Sequence, residues 1–424
     1  MKIMLVGNGG REHALAWKLS QSPILREMIL APGSDAMAVY GRCVAVAADD
    51  VAGLVQLAAL EQPDLVVIGP EVALAAGLVD QLAELEILAF GPSAAAAKLE
   101  ASKAFTKDFC QRHNIPTARS KTVATDMAAH AYLETLPGPY VLKADGLAAG
   151  KGVVITDELA AAKQAASDML GGQFGAASAK LVIEEFLSGE EASLFVLCDG
   201  TSAVPLVGAQ DHKRAFDDDQ GPNTGGMGCY SPAPVLDALM TAKVMDEIIT
   251  PTLRGMKQEG APFVGVLYAG LMIDQTGPKL IEYNVRFGDP EAQVLMRRLQ
   301  SDLLPVLLAC ANGSLADVPA LHWDERPAAC VVMATKGYPG KVEKGSKISG
   351  LERAAATSNV EIFHAGTKQD ETGQWLANGG RVLNISAMGD DLAEAVNHCY
   401  AAVDLIDWPE GFCRRDIGRR ALTN

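Results

Sequence analysis

Three polar side chains alternate along residues 281–287. Glu282, Asn284 and Arg286 share one face of a strand with a period of two. The other face is apolar and consists of Ile281, Tyr283, Val285 and Phe287. A carboxylate, an amide oxygen and a guanidinium in this order suit a Mg²⁺ ion held by one or two side chains and by nucleotide phosphates. The alternative is an edge strand with a solvated polar face. The remaining motifs decide between the two.

A glycine-rich loop follows Lys143 and includes Gly146, Gly150 and Gly152. It differs from a Walker A loop because only three residues separate Gly146 from Gly150 and because Gly152 replaces the Ser or Thr that would bind Mg²⁺. A strand at 153–155 follows, where a P-loop needs a helix. We predict two strands joined by a flap over phosphates, with Lys143 reaching up from the first strand. A mobile surface hairpin is the alternative.

Three further segments carry groups suited to a nucleotide or a substrate. The strand at 181–187 runs into a bend whose backbone can pair with an adenine edge, and acids at 190–191 can bind ribose hydroxyls. Residues 209–214 and 221–228 are charged or glycine-rich loops too long for tight turns, and such loops are often functional. Residues 268–274 and 279–286 are predicted to form a hairpin across 275–278, which would support the polar face described above.

The first hundred residues predict a doubly wound parallel sheet, with strands at 3–6, 28–31, 65–69 and 87–90 and a helix at 12–21. The Gly7–Arg11 turn after the first strand can face an anion. A dinucleotide site is disfavoured because Glu12 stands where the third glycine would fall and no acid follows the second strand, so we favour a phosphate of mononucleotide size. Glu71 lies at the ligand-binding edge of its strand, although it also suits a helix N-terminus.

Composition sets limits on the class of protein. The 424 residues, 49% hydrophobic and 21% charged, predict a soluble globular chain of two to four domains. A net charge of −16 argues against nucleic acid and anionic membrane surfaces as partners. With no signal-peptide core and no apolar run of roughly 20 residues, we expect a cytoplasmic protein. The eight cysteines lack a Cys-x-x-Cys pair, which predicts reduced, mostly buried thiols and no zinc site.

Taken together, the motifs resemble the phosphoribosylamine–glycine ligase (glycinamide ribonucleotide synthetase) family of the ATP-grasp superfamily over essentially the whole chain. Departures from the family pattern are small: Ser34 replaces a common Asn, Ala292 replaces a common Thr, and Gly270 falls where many ATP-grasp enzymes have another metal-binding acid. The segments that carry the resemblance are 7–14, 143–152, 184–187, 210–213, 221–228, 284–291, 363–367 and 378–382.

The resemblance implies an α/β ATP-grasp fold with an N-terminal doubly wound parallel-sheet domain (1–101), an ATP-grasp domain (102–325, with a lid at about 120–189) and a small C-terminal α/β domain (326–424). The break in pattern at 323–327 supports the last boundary. After it we predict a strand at 329–334, a hairpin near 378–385 and a helix from 391.

The implied reaction joins glycine to 5-phosphoribosylamine with cleavage of ATP, through glycyl phosphate, in a monomer. It needs positioning and charge neutralisation and no nucleophilic side chain. By motif, Glu282 and Asn284 would hold Mg²⁺ or Mn²⁺, and Lys143, Asp211 and Arg286 would be catalytic, the last two facing glycine. The nucleotide residues would be Lys103, Lys143, Gly150, Gly152, Glu184, Glu185, Leu187 and Glu191, and the phosphoribosyl residues Gly9, Gly10, Arg11 and Glu71.

Two alternatives remain open from the sequence. One is a different ATP-grasp carboxylate–amine ligase. The other is a nucleotide-binding oxidoreductase or regulatory protein built on the N-terminal sheet, which would leave Lys143 and Glu282 without a role.

Overall fold

The computed structural model describes residues 1–147, 152–173, 175 and 179–422. Within that part of the chain, no helix combines the length and the apolar character needed to cross a membrane. Four larger sheets and two small hairpins organise the described residues.

The N-terminal sheet has five parallel strands in the order β3-β2-β1-β4-β5. This confirms the predicted parallel sheet, to which the structure adds the short strand β3. The apolar run of β4 is buried at all four positions, as is typical of a parallel strand that is covered on both faces. The elements are β1 Lys2–Gly7, α1 Gly10–Leu19, β2 Glu27–Pro32, β3 Arg42–Cys43, α2 Val51–Glu61, β4 Leu65–Ile68, α3 Glu71–Ala75, α4 Leu78–Glu84, β5 Ala89–Phe90 and α5 Ala94–Ala101.

A second sheet, in the order β6-β9-β7-β8, lies in the segment predicted to be the lid. Its strands β7 and β8 pair antiparallel and flank the glycine-rich loop, as the sequence predicted. Lys143 lies in β7, whereas Gly150 lies outside the described residues. The elements are α6 Lys103–Arg112, β6 Ser120–Val123, α7 Asp126–Leu133, β7 Tyr140–Ala144, β8 Val153–Thr156, α8 Leu159–Asp168 and β9 Leu181–Glu185.

The central sheet, in the order β11-β10-β16-β17, carries the predicted metal ligands. Its β16–β17 hairpin turns more tightly than predicted, because Asp274 pairs with Gly277. The register also shifts, so that Gly270 pairs with Glu282 but Leu271 pairs with Leu280. Ile281 is therefore the extra residue of a β-bulge. It lines the cleft, which corrects the prediction that it packs on the apolar face.

The central region contains three long strands, five short ones and four α-helices. A π-helical stretch, Met245–Ile249, joins two of the helices. The elements are β10 Glu190–Asp199, β11 Ala203–Pro205, β12 Gln210–Asp211, β13 Arg214–Phe216, β14 Gln220–Asn223, β15 Gly228–Ser231, α9 Ala238–Val244, α10 Thr250–Gln258, β16 Val264–Asp274, β17 Gly277–Asn284, α11 Glu291–Arg298 and α12 Leu303–Asn312.

The C-terminal sheet takes two strands from the middle of the chain: its order is β12-β15-β18-β22-β19, with β23 on β18. The strand predicted at 329–334 and the helix predicted from 391 are confirmed as β18 and α14. The predicted hairpin near 378–385 is wrong, because β22 begins at Arg381 and pairs with β18 and β19, while β20 pairs with β21. The elements are β18 Ala328–Thr335, α13 Leu351–Ala355, β19 Val360–His364, β20 Thr367–Gln369, β21 Trp375–Ala377, β22 Arg381–Met388, α14 Leu392–Val403, β23 Gly411–Phe412 and α15 Arg419–Leu422.

The N-terminal and central sheets share their cores. Ile3 of β1 lies in one hydrophobic cluster with Phe195 of β10, and Met4 lies in another with Leu194. The N-terminal sheet is therefore packed against the strands that carry the candidate site. All eight cysteines are free thiols, and most of them are buried, as predicted.

Candidate active site

A cleft of about 790 Å³ lies between the lid sheet, the central sheet and the C-terminal part. Most of the residues singled out from the sequence line it, although they come from segments far apart in the chain. Gly9 and Gly10 are not among the lining residues, and Gly150 lies outside the described residues. The predicted residues that line the cleft are Arg11, Glu71, Lys103, Lys143, Gly152, Glu184, Glu185, Leu187, Glu191, Asp211, Glu282, Asn284 and Arg286.

Glu282 and Asn284 present oxygen atoms to the cleft from alternate positions of β17. The residue opposite Glu282 is Gly270, so the neighbouring strand adds no acid at that level. Burial alone would raise the pKa of Glu282, but nearby cations, led by Lys213 and Lys143, hold it below its usual value. Two hard oxygen ligands fit a Mg²⁺ ion that takes its other ligands from phosphates and water.

Lys143 is buried and paired with Glu184 on the neighbouring strand β9, with 3.0 Å between Nζ and Oε1. The other oxygen of Glu184 lies 3.0 Å from Nζ of Lys107. Lys107 also donates to Oγ1 of Thr117 at 2.7 Å, and Thr117 donates to the carbonyl oxygen of Leu280 at 2.6 Å. One carboxylate thus stands between two buried ammonium groups, and the chain of contacts ties the lid to the central sheet.

Sequence reasoning missed Lys107. A local signal did exist, because Lys107 follows Lys103 by four residues on α6 and so lies on the same helix face. Burial lowers the pKa of Lys107 and so does the charge of Lys143, while Glu184 raises it. Lys103 itself donates to the carbonyl oxygen of Gly146 at 3.1 Å, at the start of the flap.

The other predicted nucleotide residues carry partners of their own. Glu185 accepts from the backbone N–H and from Nε of Arg119, at 2.9 and 2.7 Å. Glu191 is paired with Lys213, whose Nζ also lies 4.0 Å from Glu282. Lys213 therefore links the candidate adenosine end of the cleft to the candidate metal ligands.

Arg286 is held by four acceptors. Its Nε lies 3.1 Å from Glu71, its Nη1 donates to the carbonyl oxygen of Phe287 at 3.2 Å, and its Nη2 lies 3.0 Å from Glu100 and 3.2 Å from Oδ1 of Asn284. Glu100, on α5, was not predicted, since the sequence around it is an ordinary alanine-rich helix. Burial raises its pKa, and the charge of Arg286 opposes that shift.

A group of acids surrounds Asp211. Burial raises the pKa of Asp211 to about 7, with a further contribution from Glu291 and Glu191, against the lowering effect of Lys213. Glu291 accepts a hydrogen bond from the hydroxyl of Tyr268 at 2.8 Å. A buried acid whose pKa lies near neutrality can take up or release a proton at physiological pH.

The glycine turn of the N-terminal sheet is packed more tightly than an open anion site. The backbone N–H of Gly9 donates to Oε2 of Glu12 at 2.8 Å, and a Cβ at Gly10 would meet Asn384 and Gln293. Arg11 contacts the same Glu12 and donates to the carbonyl oxygen of Phe287 at 3.2 Å. Of this turn, Arg11 is the residue that reaches the cleft. Direct contact of Gly9 and Gly10 with a phosphoribosyl group stays a prediction.

The C-terminal part adds residues to the cleft that we did not predict individually. Arg381 lies 3.1 Å from Asp289 and donates to the carbonyl oxygen of Gly225 at 2.6 Å. The hydroxyl oxygen of Tyr338 accepts a hydrogen bond from the backbone N–H of Gly225 at 3.1 Å. Both line the cleft, together with Arg420. The motif at 378–382 indicated that this region matters, but it did not predict that Arg381 pairs with Asp289.

Three family models match successive parts of the chain: the N domain (1–100), the ATP-grasp (A) domain (101–292) and the C domain (328–420) of phosphoribosylglycinamide synthetase. The phosphoribosylamine–glycine ligases of Caulobacter vibrioides and Phenylobacterium zucineum are 55% and 52% identical to this chain over 422 residues. These alignments cover 100% of this chain and 99% and 100% of the relatives.

Solved structures give the same result. The crystal structure of a phosphoribosylamine–glycine ligase from Thermotoga maritima matches with a TM-score of 0.87 and 32% identity, covering 99% of this chain and 100% of that one. A biotin carboxylase from Campylobacter jejuni, at 15% identity and a TM-score of 0.75 over 97% of this chain and 92% of that one, shares the fold alone. The chain therefore belongs to the phosphoribosylamine–glycine ligase (phosphoribosylglycinamide synthetase) family and has its ATP-grasp domain.

Proposed function

We propose that this chain joins glycine to 5-phosphoribosylamine, giving glycinamide ribonucleotide, ADP and phosphate. The observation that carries the proposal is the match to this family over the full length of the chain, and it is supported by a cleft that is lined by most of the residues predicted for the substrates. This reaction belongs to purine biosynthesis.

For the nucleotide, we propose that Lys103 and Lys143 contact the phosphates. Both line the cleft, and a phosphate would give Lys143 a second anionic partner beside Glu184. The adenosine would lie against residues of the lid edge, with its ribose near Glu191. The residues proposed for this end are Gly150, Gly152, Glu184, Glu185, Leu187 and Glu191.

For the metal, we propose Glu282 and Asn284 as ligands of Mg²⁺ or Mn²⁺. When bound, the ion would neutralise charge on the phosphates. Asn284 Oδ1 lies 3.2 Å from Nη2 of Arg286, so this arginine orients the amide oxygen. Gly270 supplies no third acid, so one metal ion would be held less completely by protein.

For the chemistry, a glycine carboxylate oxygen attacks the γ-phosphorus of ATP and ADP leaves, which gives glycyl phosphate. The amine nitrogen of 5-phosphoribosylamine then attacks the acyl carbon, phosphate leaves with that oxygen, and the nitrogen loses a proton. Asp211, with its pKa raised to about 7, suits the uptake of that proton. Arg286 would hold the glycine carboxylate, since its guanidinium has five N–H donors, one more than the four acceptors named above.

For the phosphoribosyl end, we propose Arg11 and Glu71 as direct contacts, with Gly9 and Gly10 shaping the turn behind them. Arg11 and Glu71 line the part of the cleft next to Arg286, and Glu71 is already paired with that residue. The amine would thus enter from the N-terminal sheet, opposite the nucleotide, and meet the acyl phosphate at Arg286.

We also propose that the chain divides into domains 1–101, 102–325 (with the lid at about 120–189) and 326–424, which the ranges of the family matches support. Glycyl phosphate would hydrolyse in open water, so the lid is expected to close over a dry cleft. We propose a cytoplasmic monomer whose partners are its small-molecule substrates, without nucleic acid or membrane. The net charge of −16 supports the last point.

A substrate-matrix assay of ADP release tests the reaction, using several amino acids with and without 5-phosphoribosylamine. We expect ADP release that depends on both glycine and the amine. Release with another amino acid or amine would favour a different carboxylate–amine ligase, and release that needs neither would contradict the proposal.

An isotope experiment tests the glycyl-phosphate step by itself. Glycine labelled with ¹⁸O in its carboxylate should transfer one labelled oxygen to the released phosphate in each turnover, because that oxygen forms the bond to phosphorus. Adenylation would instead put the label into AMP and release pyrophosphate. Unlabelled phosphate or AMP among the products would exclude the acyl phosphate even if the ligase reaction itself is confirmed.

A further inference from the structure

The loop that follows Asp211 contains a small hairpin on the wall of the cleft. We define it as the 214–223 hairpin, formed by β13 and β14. Among the described strands it pairs with no other, and β14 is largely exposed. Its residues Arg214, Asp219 and Asn223 nevertheless line the cleft. Since a two-stranded hairpin is at best marginally stable alone, other contacts must hold it in place.

Those contacts come from the C-terminal tail, which we define as residues 413–422. Arg414 is 1% exposed, and its Nη1 donates to the backbone oxygen of Arg214 at 3.1 Å and to Oδ1 of Asp219 at 2.9 Å. Its Nε and Nη2 donate to the two oxygens of Asp416, both at 2.7 Å. One buried guanidinium therefore joins the first strand of the hairpin, the tip of the hairpin and the tail.

The tip of the hairpin is held by the tail at several more points. Asp218 and Asp219 have φ angles of 56° and 53°, a left-handed conformation that is uncommon for residues other than glycine. The backbone N–H of Asp218 donates to Oδ2 of Asp416 at 2.9 Å, and Nη2 of Arg420 donates to Oδ2 of Asp219 at 2.9 Å. These bonds fix a tip whose backbone would otherwise be unfavourable.

The charges of this cluster favour a fixed arrangement. Burial alone would lower the pKa of Arg414, but Asp416 and Asp219 hold it above its usual value, so the guanidinium stays charged. His212 lies beside the cluster and lines a smaller cavity of about 330 Å³ between hairpin and tail. Burial, Arg414 and Arg420 lower its pKa to about 3, so this imidazole is neutral and adds no charge.

We infer that Arg414 is a positioning residue for the proposed ligase reaction. By anchoring Arg214 and Asp219, it fixes the segment that carries Asp211 and Lys213 in the cleft. Arg414 is about 200 residues away from this segment in the chain, and it is not among the residues that line the cleft. The inference rests on the proposed function for its kinetic consequence but not for its structural one.

The test compares Arg414→Gln with Arg415→Gln in the full-length protein. Arg415 is a matched control because its side chain pairs with Asp404 at 2.7 Å, whereas its contact with the tip of the hairpin is made by its backbone N–H, to Oδ1 of Asp217, and remains in Arg415→Gln. A displacement of about 1 Å at reacting groups costs about 10²-fold in rate, so we expect Arg414→Gln to lower kcat/KM for glycine by about 10- to 100-fold. The dissociation constant for ATP should change by a smaller factor than kcat/KM for glycine, because Lys213 is the one described residue of this segment that pairs with the candidate adenosine residue Glu191. Arg414→Lys, which keeps the charge, should recover part of the loss, and Arg415→Gln should match the parent protein.

Amide hydrogen exchange provides a readout that does not depend on catalysis. In Arg414→Gln, peptides covering 211–223 should exchange faster, while peptides from the N-terminal sheet should keep their rates.

Unchanged exchange in 211–223 would overturn the inference, and so would glycine kinetics equal to those of the parent. Equal losses of ATP affinity and turnover, with no recovery in Arg414→Lys, would show a general structural role and also overturn it. If Arg414→Gln does not fold, the same two measurements on Arg414→Lys against Arg415→Lys decide the matter. A parent protein without glycine-dependent ADP release would contradict the proposed function alone, since the exchange result stands apart from it.

Discussion

Replacing Glu184 with glutamine should destabilise the protein far more than a surface acid would. Glu184 is 3% exposed, and its two oxygens each lie 3.0 Å from a buried ammonium group, that of Lys107 or that of Lys143. Glutamine keeps the shape but removes the charge that both lysines share. Leaving a buried charge without its partner costs about 3–5 kcal/mol, which for a cooperative unit of roughly 150–250 residues lowers Tm by roughly 6–20 °C.

The pH dependence of this loss has a definite sign. Burial and the charge of Lys143 already lower the pKa of Lys107 from 10.5, with Glu184 opposing that shift. Without Glu184 the folded-state pKa falls further. Between the folded and unfolded pKa values the unfolded chain binds more protons, so stability rises with pH in that window. The Tm difference between the parent and Glu184→Gln should therefore narrow as pH rises from 7 towards 10.

Glu185→Gln is the matched control for this experiment. Glu185 follows Glu184 in β9 but pairs with Arg119, whose side chain is 74% exposed, and exposed pairs contribute about 0.2–1 kcal/mol. Thermal unfolding followed by circular dichroism at several pH values measures both variants. Equal, small losses in the two variants would refute the reasoning, as would a Tm gap for Glu184→Gln that stays constant or widens with pH.

Three further variants test the candidate metal site and the two substrate ends of the cleft. Glu282→Gln should fold normally yet lose about 10²–10³ in kcat, as expected when one preorganised charged group is removed from a site; near-normal turnover at saturating Mg²⁺ would remove this residue from the metal site. Arg11→Ala should raise KM for 5-phosphoribosylamine and leave ATP affinity nearly unchanged, because Arg11 lies at the N-terminal sheet, in α1. Lys143→Ala should show the opposite pattern and affect ATP binding or phosphoryl transfer first. Initial-rate kinetics and ATP titration separate the two, and equal weakening of both substrates by Arg11→Ala would show that the phosphoribosyl site is misplaced.

Local periodicity predicted much of the cleft. The period-two pattern around Glu282 placed two candidate metal ligands on β17, and the failed Walker A spacing after Lys143 correctly predicted two strands around a loop. Both predictions depend on neighbours within one strand or one hairpin, so the sequence contains the necessary information.

Contacts between distant segments could not be predicted in the same way. Glu100 meets Arg286 across 186 positions, and no local pattern distinguishes it from the other acids on alanine-rich helices. The bulge at Ile281 follows from the register with β16, which a single strand does not reveal. The prediction of a hairpin near 378–385 was wrong. The glycines there follow the β20–β21 pair and precede β22, which pairs with β18 and β19.

The pairing of β15 with β18 has a consequence for folding while the chain is synthesised on the ribosome. The partner of β15 on its other side, β12, is already synthesised, but Cys229 and Cys330 lie opposite each other in the pair with β18, so about 100 residues must still be synthesised before this edge of β15 is covered. At roughly 5–20 residues per second this takes roughly 5–20 s. Throughout that interval the nascent strand presents unpaired backbone groups, which are open to pairing with other chains. Slow translation of the residues between β15 and β18 would lengthen the time for which this edge of β15 is unpaired. Chaperones that cover strand edges would matter most in this interval.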